Sequence, residues 1–319
     1  MKTVPEQTHE QFLAKIGREH FLDGKSKVEI ANTYGISRFH VARLLEEARE
    51  VGIVKIEVST PGAAAPADTD MIKKELGLTR LIATAGSADP ARSRDIMAQA
   101  AAAELSAGAR SGMTIGISWS RTLATTARFV TKLPKCDIVQ LAGALPLSGS
   151  GHSFEVIHRL GGLSGGNTWP LFAPLVVDDA ATAAGLRRQP EIAHALEKAD
   201  TLDLAVIAIG AWLPNVSTVW ERVGNTDRRA GTAAGAVAEC SGRLIDADGQ
   251  AVLTAMDERI IAVTVEQLRA TPEVIAVALG SERAAAVIAA CKANIVTTLI
   301  ADESLVSALS AALTKEADL

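Results

Sequence analysis

Apolar residues near the start of the chain recur with the spacing of amphipathic helices. This pattern predicts three helices, over residues 9–22, 26–35 and 37–50. In the third helix, the side expected to be buried carries Val41, Leu44, Leu45 and Ala48. Residues 53–58 then alternate between apolar and polar, which is typical of a short strand and predicts a wing after the helices.

Short signals define the turn between the second and third helices. Ser26 and Glu29 match a capping box, and Gly35 can take the left-handed conformation of a sharp turn. Ser37 is expected to cap the third helix. Residues 26–48 therefore fit a helix-turn-helix, in which two crossing helices share a small apolar core.

Such a motif leaves the first turns of its second helix open to a DNA groove. The residues expected to contact DNA are Ser37, Arg38, His40 and Arg43. Arginine binds guanine edges, and a helix N-terminus holds phosphates. Phe39 either contacts a thymine methyl or packs internally, and packing is the favoured hypothesis. A plain helical hairpin with a solvated face is the alternative interpretation.

The pattern changes after residues 59–68, a Pro- and Gly-interrupted segment interpreted as a linker. Apolar strands then alternate with Ala-rich helices, which predicts a doubly wound, mainly parallel α/β domain over residues 69–319. Strands are predicted at 81–84, 113–117, 138–142, 172–177, 204–209, 274–279 and 296–300, and helices near 90–107, 122–131, 153–160, 191–199, 282–293 and 303–314. Residues 240–255 predict a β-hairpin. A winged-helix-like domain over residues 1–58 would precede the linker.

Charge and composition limit the partners. The 319 residues are 48% apolar and 3% aromatic, with a net charge of −5. Basic and acidic residues balance over residues 1–58, so the larger domain is acidic and disfavours nucleic acid. Three separated cysteines match neither a disulfide framework nor a metal-binding spacing. Without a secretory signal or an apolar run of about 20 residues, a cytoplasmic protein with no membrane partner is expected.

One motif of the larger domain is typical of a binding loop. Gly116, Ser118, Trp119, Ser120, Arg121 and Thr122 lie between a predicted strand and a predicted helix. Hydroxyls and the free N–H groups of a helix N-terminus can hold an anion. The glycine spacing fits neither a Walker A loop nor a dinucleotide fingerprint. A strand-to-helix turn in which Ser and Thr only cap the helix is the alternative.

Other patterns give no catalytic, metal or cofactor site. Residues 162–166 match G-x-S-x-G, but no strand is predicted before them, so a flexible loop is favoured. His152 and His158 are six residues apart and lack a third ligand. Asp178 and Asp179 are interpreted as caps of the following helix.

Six segments of the chain together form a pattern that is specific in its order and spacing. They are residues 26–58, 116–122, 139–143, 235–243, 280–284 and 297–303. This set resembles the SorC family of sugar-binding transcriptional regulators over nearly the whole chain. The resemblance implies a DNA-binding domain and an effector domain whose fold is similar to sugar-phosphate isomerases and deaminases. It also implies a homo-oligomer, typically a tetramer, that answers to phosphorylated sugars or related metabolites.

The resemblance further implies roles in an effector site. Ser118, Ser120 and Thr122 would line its anion end. Polyol hydroxyls would face Gln140 and Glu239. The remaining positions of the motifs are Gly116, Trp119, Arg121, Gly143, Gly280 and Arg283, the last offering a cation to a phosphate.

At three positions this sequence differs from the family pattern, so the identity of the effector cannot be taken from a relative. Arg283 stands where the family often has Lys, Ser120 where Gly is common and Glu239 where Asp is frequent. Arginine keeps the charge but changes the geometry of phosphate binding. Ala142 is not Lys, so no Schiff base with an aldehyde sugar is indicated.

The favoured function is therefore a transcriptional regulator that binds double-stranded operator DNA under the control of a sugar, polyol or sugar phosphate. The first alternative is an enzyme similar to sugar-phosphate isomerases or deaminases, although no matched acid and base pair is found. The second is a metabolite-binding protein whose helix-turn-helix only mediates assembly.

Overall fold

The computed structural model describes residues 9–54, 66–87, 89–145 and 153–317. The chain divides into two compact units, Met1–Pro61 and Gly62–Leu319. Residues 55–58 of the predicted wing and residues 59–65 of the predicted linker lie outside the described residues.

The smaller unit consists of three helices, α1 (His9–Phe21), α2 (Lys27–Tyr34) and α3 (Arg38–Glu50). Their facing sides bury one apolar core of Leu13, Ile16, Ile30, Ala31, Val41, Leu44, Leu45 and Ala48. The predicted buried side of the third helix is therefore confirmed. Ile53 and Val54, where the wing was expected to begin, form a bend.

The helix boundaries follow from local hydrogen bonds. Ser26 Oγ accepts from Glu29 N at 3.2 Å and Glu29 Oε2 accepts from Ser26 N at 2.8 Å, which confirms the capping box. Gly35 ends α2 with φ of 64°, in the left-handed region. Ser37 Oγ accepts from His40 N at 3.1 Å and begins α3. The helices and turn predicted for the helix-turn-helix are present.

The larger unit alternates helices and strands. Its helices are α4 (Pro66–Glu75), α5 (Pro90–Gly108), α6 (Arg121–Phe129), α7 (Ser153–Ser164), α8 (Ala180–Arg187), α9 (Pro190–Lys198), α10 (Thr218–Arg222), α11 (Asn225–Ala233), α12 (Val265–Ala270), α13 (Ala284–Lys292) and α14 (Glu303–Ala317). Its strands are β1 (Arg80–Thr84), β2 (Thr114–Ile117), β3 (Asp137–Gln140), β4 (Thr168–Trp169), β5 (Leu204–Ala211), β6 (Ala236–Cys240), β7 (Arg243–Asp246), β8 (Ala251–Val252), β9 (Glu273–Ala278) and β10 (Thr298–Asp302). Within the described ranges, none of the helices has the length and apolarity needed to cross a bilayer.

The sheet is parallel along the order β1-β10-β9-β5-β2-β3-β4. The antiparallel strands β6, β7 and β8 extend from the end of β5. Both faces are covered, since Leu204 and Val206 of β5 pack in one apolar core while Ala205 and Ile207 pack in the other. The predicted doubly wound, mainly parallel α/β fold is confirmed.

One predicted strand is wrong, and the last residues of the predicted linker lie in a helix. Residues 172–177 do not form a strand of the ladder and make only isolated bridges, Ala144 with Pro174 and Val176 with Ile260. Pro174 has no N–H to donate, which disfavours a regular strand there. Residues 66–68 of the predicted linker belong to α4, because proline is well tolerated in the first turn of a helix.

Other local predictions agree with the structure. Strands β7 and β8 form the hairpin expected within residues 240–255. Asp179 caps α8, since its Oδ1 accepts from Thr182 N at 2.7 Å. The G-x-S-x-G residues 162–166 lie at the end of α7 and not after a strand, so they do not form a nucleophile elbow.

Candidate functional site

A cavity of about 680 Å³ opens at the carboxyl ends of the parallel strands. From the middle of the sheet, β2 is followed by β3 and β4 toward one edge. In the opposite direction, β5 is followed by β9 and β10 toward the other edge. The order of the strands therefore reverses between β2 and β5, and ligands of open α/β sheets bind at such a reversal. The predicted effector residues on its wall are Ser118, Trp119, Ser120, Arg121, Thr122, Gly143, Glu239 and Arg283.

The loop after β2 both caps a helix and lines the cavity. Ser120 Oγ accepts from Leu123 N at 3.0 Å and begins α6, so the capping role weighed for this loop is present. Ser118 Oγ lies 2.9 Å from Ser241 Oγ, a contact that ties the loop to the turn between β6 and β7. The first N–H groups of α6 have no partner within the helix and are suited to an anion.

Trp119 brings an unsatisfied donor to this wall. The residue is only 8% exposed, and its Nε1 has no hydrogen-bond partner among the residues that the structure describes. A buried donor without a partner costs about 1–3 kcal/mol. A ligand oxygen that accepts this hydrogen bond would therefore gain affinity.

Glu239, on β6, is the buried carboxyl of the cavity. Its Oε1 accepts from Gly242 N at 2.6 Å and its Oε2 accepts from Ser217 Oγ at 3.3 Å. Ser241 and Gly242 form the turn with φ of 52° and 90°, which directs the Gly242 N–H back toward the carboxyl. Burial raises the pKa of Glu239 to about 7, although both hydrogen bonds favour the charged form.

Four arginines line the cavity, namely Arg94, Arg121, Arg222 and Arg283. Arg283 Nη2 donates to Val216 O at 3.1 Å, and burial lowers the pKa of its guanidinium. Arginine nevertheless stays protonated in proteins. The described lining includes two carboxyl groups, those of Glu221 and Glu239. Cations therefore outnumber acids there, which favours an anionic ligand.

Arg94 and Arg222 were missed by sequence reasoning. Arg94 lies on α5 and Arg222 on α10, and neither belongs to a motif. The strand order of the sheet brings their helices beside the loop after β2. No local pattern would have identified them.

The structure does not place three predicted effector residues on the wall. Both ends of the buried Gln140 amide are used, since Nε2 donates to Ala142 O at 2.7 Å and Oε1 accepts from Leu171 N at 3.2 Å. Gly116 lies inside β2, where an added Cβ would come within 2.7 Å of Leu141 Cδ2. Gly280 forms a turn with φ of 99°.

In the smaller unit, the predicted DNA-contacting residues lie at the start of α3. Ser37, Arg38, His40 and Arg43 are all exposed. Phe39 is 68% exposed, so the hypothesis that it packs internally is wrong. The Arg38 guanidinium lies 4.9 Å from the centre of the Phe39 ring.

Two of the tryptophans pack against each other. Trp212 and Trp220 pack edge to face with ring centres 5.0 Å apart. Across the part of the chain that the structure describes, no group of three or more His, Cys, Asp or Glu side chains is arranged to hold a metal ion.

Comparison with known proteins defines the class. The family described as "Putative sugar-binding domain" matches residues 68–310, and the chain belongs to that family. Its similarity to SorC-type regulators, expected from the order of the motifs, is confirmed.

Individual relatives extend beyond this domain. The "Uncharacterized transcriptional regulator YjhU" of Escherichia coli (strain K12) is 26% identical over 295 residues, 89% of each chain. The "Deoxyribonucleoside regulator" of Bacillus subtilis (strain 168) is 24% identical and covers 94% of this chain and 97% of its own. The full-length sorbitol operon regulator SorC of Klebsiella pneumoniae has a similar structure, with a TM-score of 0.71, 19% identity, and coverage of 94% of this chain and 99% of its own.

Proposed function

We propose that this chain is a DNA-binding transcriptional regulator whose operator affinity is controlled by a phosphorylated sugar or polyol. The observation that carries the proposal is the pairing of two features in one chain. One unit has a capped helix with an exposed cationic start, and the other has a cavity lined by four arginines at the reversal of its sheet. The names of the relatives agree with this pairing.

The first turns of α3 are the proposed operator contact. Arg38, His40 and Arg43 expose groups suited to phosphates and base edges. Glu46 and Glu47 follow on the same helix, and their charge keeps its later turns from the DNA backbone. Docking by the N-terminal end of the helix is therefore favoured.

The cavity suits a hydroxylated anion. The Glu239 carboxyl can exchange hydrogen bonds with sugar hydroxyls, and the Trp119 N–H can donate to a ligand oxygen. The arginines and the N-terminus of α6 favour a phosphate. Ligand binding would act on operator affinity by favouring one subunit arrangement over another.

A homo-oligomer, a tetramer by family resemblance, is part of the proposal. Operator half-sites related by a two-fold axis are read by two copies of one helix about 34 Å apart. Closed two-fold symmetry is also the common arrangement of soluble homo-oligomers. Sedimentation of the full-length protein tests this part, and a monomer at micromolar concentration would contradict it.

Regulation is tested by selecting the DNA sequences to which the protein binds. The full-length protein is incubated with a randomised duplex library, and bound DNA is amplified and sequenced. We expect one enriched sequence, and we expect sugar phosphates from a pentose and hexose panel to change the affinity for it. No enrichment over the starting library would contradict the proposal.

The pKa of Glu239 favours one second candidate, an enzyme similar to sugar-phosphate isomerases. A carboxyl that titrates near neutral pH suits general acid or base catalysis. The described cavity lining contains no His, Lys or Cys to act as its partner. Turnover of the same panel, measured by product formation, would favour the enzyme.

Arg94→Ala tests the anion end of the cavity. We expect affinity for the bound sugar phosphate to fall about 10- to 100-fold, because a charge-assisted hydrogen bond is lost. Affinity for its unphosphorylated parent should change little. Arg92→Ala is the matched control, since Arg92 is exposed on the same helix and does not line the cavity. Equal losses for both ligands, measured by calorimetry, would contradict the phosphate assignment.

A further inference from the structure

Phe39 is an exposed apolar residue on α3, and its exposure does not help the chain to fold. At 68% exposure it is the most exposed phenylalanine that the structure describes. By contrast, Phe12 and Tyr34 of this unit pack edge to face at 5.3 Å and lie against its apolar core. Leaving a ring of this size in water forfeits the stabilisation that burial would supply.

The ring lies on the side of α3 opposite the core. The buried side carries Val41, Leu44, Leu45 and Ala48. With 3.6 residues per turn, Phe39 falls almost diametrically across from this set. It shares its face with Arg43, four residues later. The ring therefore lies at the centre of the exposed face, one turn before an arginine.

Two features hold the ring at the helix start. The Ser37 cap fixes the first turn, because its Oγ accepts from His40 N at 3.1 Å. The Arg38 guanidinium lies over the ring at 4.9 Å, within the range of a cation–π contact. The Cα–Cβ bonds of a helix tilt toward its N-terminus, so the ring extends past the first turn.

The polar and cationic residues around the Phe39 ring indicate the chemistry of the partner that it contacts. Arg38, His40 and Arg43 are polar or cationic and exposed around it. A partner must therefore be an anionic surface with an apolar group at its centre. Duplex DNA has this chemistry, because its phosphates flank the major groove and the thymine C5-methyl is the apolar group of the base edges there.

We infer that Phe39 contacts a thymine C5-methyl in the major groove and is a specificity-determining residue of the operator contact. This inference rests on the proposed function and adds to it the base that one side chain selects. The cationic neighbours bind phosphate or guanine, whereas the ring discriminates thymine from bases without a methyl.

The test uses the duplex selected by the full-length wild-type protein. Each dT of that duplex is replaced singly by dU, which removes the methyl and keeps the base pair. At one or more positions we expect wild-type affinity to fall about fourfold, the value for one buried methyl-sized group. The Phe39→Ala variant should bind more weakly overall and should not distinguish dT from dU at those positions.

The control is Leu22→Ala, because Leu22 is 78% exposed in the same unit but follows α1 and not the start of α3. This variant should keep the wild-type preference for dT. Phe39 is exposed, so thermal unfolding should be the same for all three proteins, which separates contact from folding.

Each outcome decides a different point. Wild-type affinity that is insensitive to dU everywhere overturns the methyl contact, as does a Phe39→Ala variant that keeps the dT preference. The Phe39→Ala variant could also keep the dT preference but have a sedimentation coefficient different from that of the wild type. That result would instead assign the ring to a contact between subunits. Failure of the selection to enrich any sequence would overturn the regulatory function and this inference with it.

Discussion

At the scale of single residues, Glu239 is a buried carboxyl whose charge depends on its surroundings. Burial raises its pKa to about 7 from an ordinary value of 4.5. The folded chain therefore holds this proton more tightly than the unfolded chain does. The associated stability is fully present below pH 4.5 and is lost as the pH rises through about 7.

Glu239→Gln removes this titration with little change in shape. Its amide can still accept from Gly242 N and face the Ser217 hydroxyl. Between about pH 5 and about pH 8, we expect the free energy of unfolding of the wild type to fall by roughly 3 kcal/mol relative to the variant. Denaturant unfolding followed by tryptophan fluorescence measures this, since all four tryptophans lie in the larger unit. Parallel pH profiles would contradict the assignment.

The roles of residues were predictable where they depend on local hydrogen bonds. They were not predictable where they depend on whether the side chain is buried. The capping roles of Ser26, Ser37 and Asp179 follow from side chains that bond within three residues. The surroundings of Gln140 and Phe39 differ from the sequence-based expectation for opposite reasons. A polar residue ending an apolar strand can face a cavity or the backbone, and an aromatic residue on a helix can face either side. Only the packing of the whole unit decides.

At the scale of elements, the turn between α2 and α3 depends on one backbone conformation. Gly35 has φ of 64°, and an added Cβ would meet nothing within 4 Å. Gly35→Ala should therefore act through the backbone alone and destabilise the smaller unit by about 1 kcal/mol. Gly35→Asn should cost less, since Asn tolerates this region. Hydrogen exchange of α3 amides measures both, and exchange that is unchanged in the alanine variant would contradict the role of the turn.

The elements that the sequence did not reveal lack the signals on which such predictions depend. Helix α11 is polar over most of its length, and α10 and α12 span only a turn or two. Helix α4 starts at a proline inside a segment interpreted as a linker. Strands β5, β9 and β10 were predicted closely, because they are apolar on both faces and covered by helices.

At the scale of the whole molecule, the cavity is assembled from distant parts of the chain. Its arginines are far apart in the sequence: Arg94, Arg121 and Arg222 lie on α5, α6 and α10, and Arg283 directly precedes α13. The parallel strand order brings the ends of these elements to one edge of the sheet. The loop at residues 116–122 was predictable because it is contiguous, whereas the arginines on α5 and α10 were not.

The proposed control of one unit by a ligand of the other requires reciprocal coupling. If a sugar phosphate changes operator affinity by some factor, saturating operator must change sugar-phosphate affinity by the same factor. We expect a factor between about 5 and 150. Calorimetric titration of the full-length protein with the sugar phosphate, alone and with excess operator duplex, measures it, and a scrambled duplex is the control. Suppose that the ligand changes operator binding while its own affinity is equal in both titrations. The thermodynamic cycle would then not close, and the effect on DNA would have to arise from another event, such as aggregation of the liganded protein.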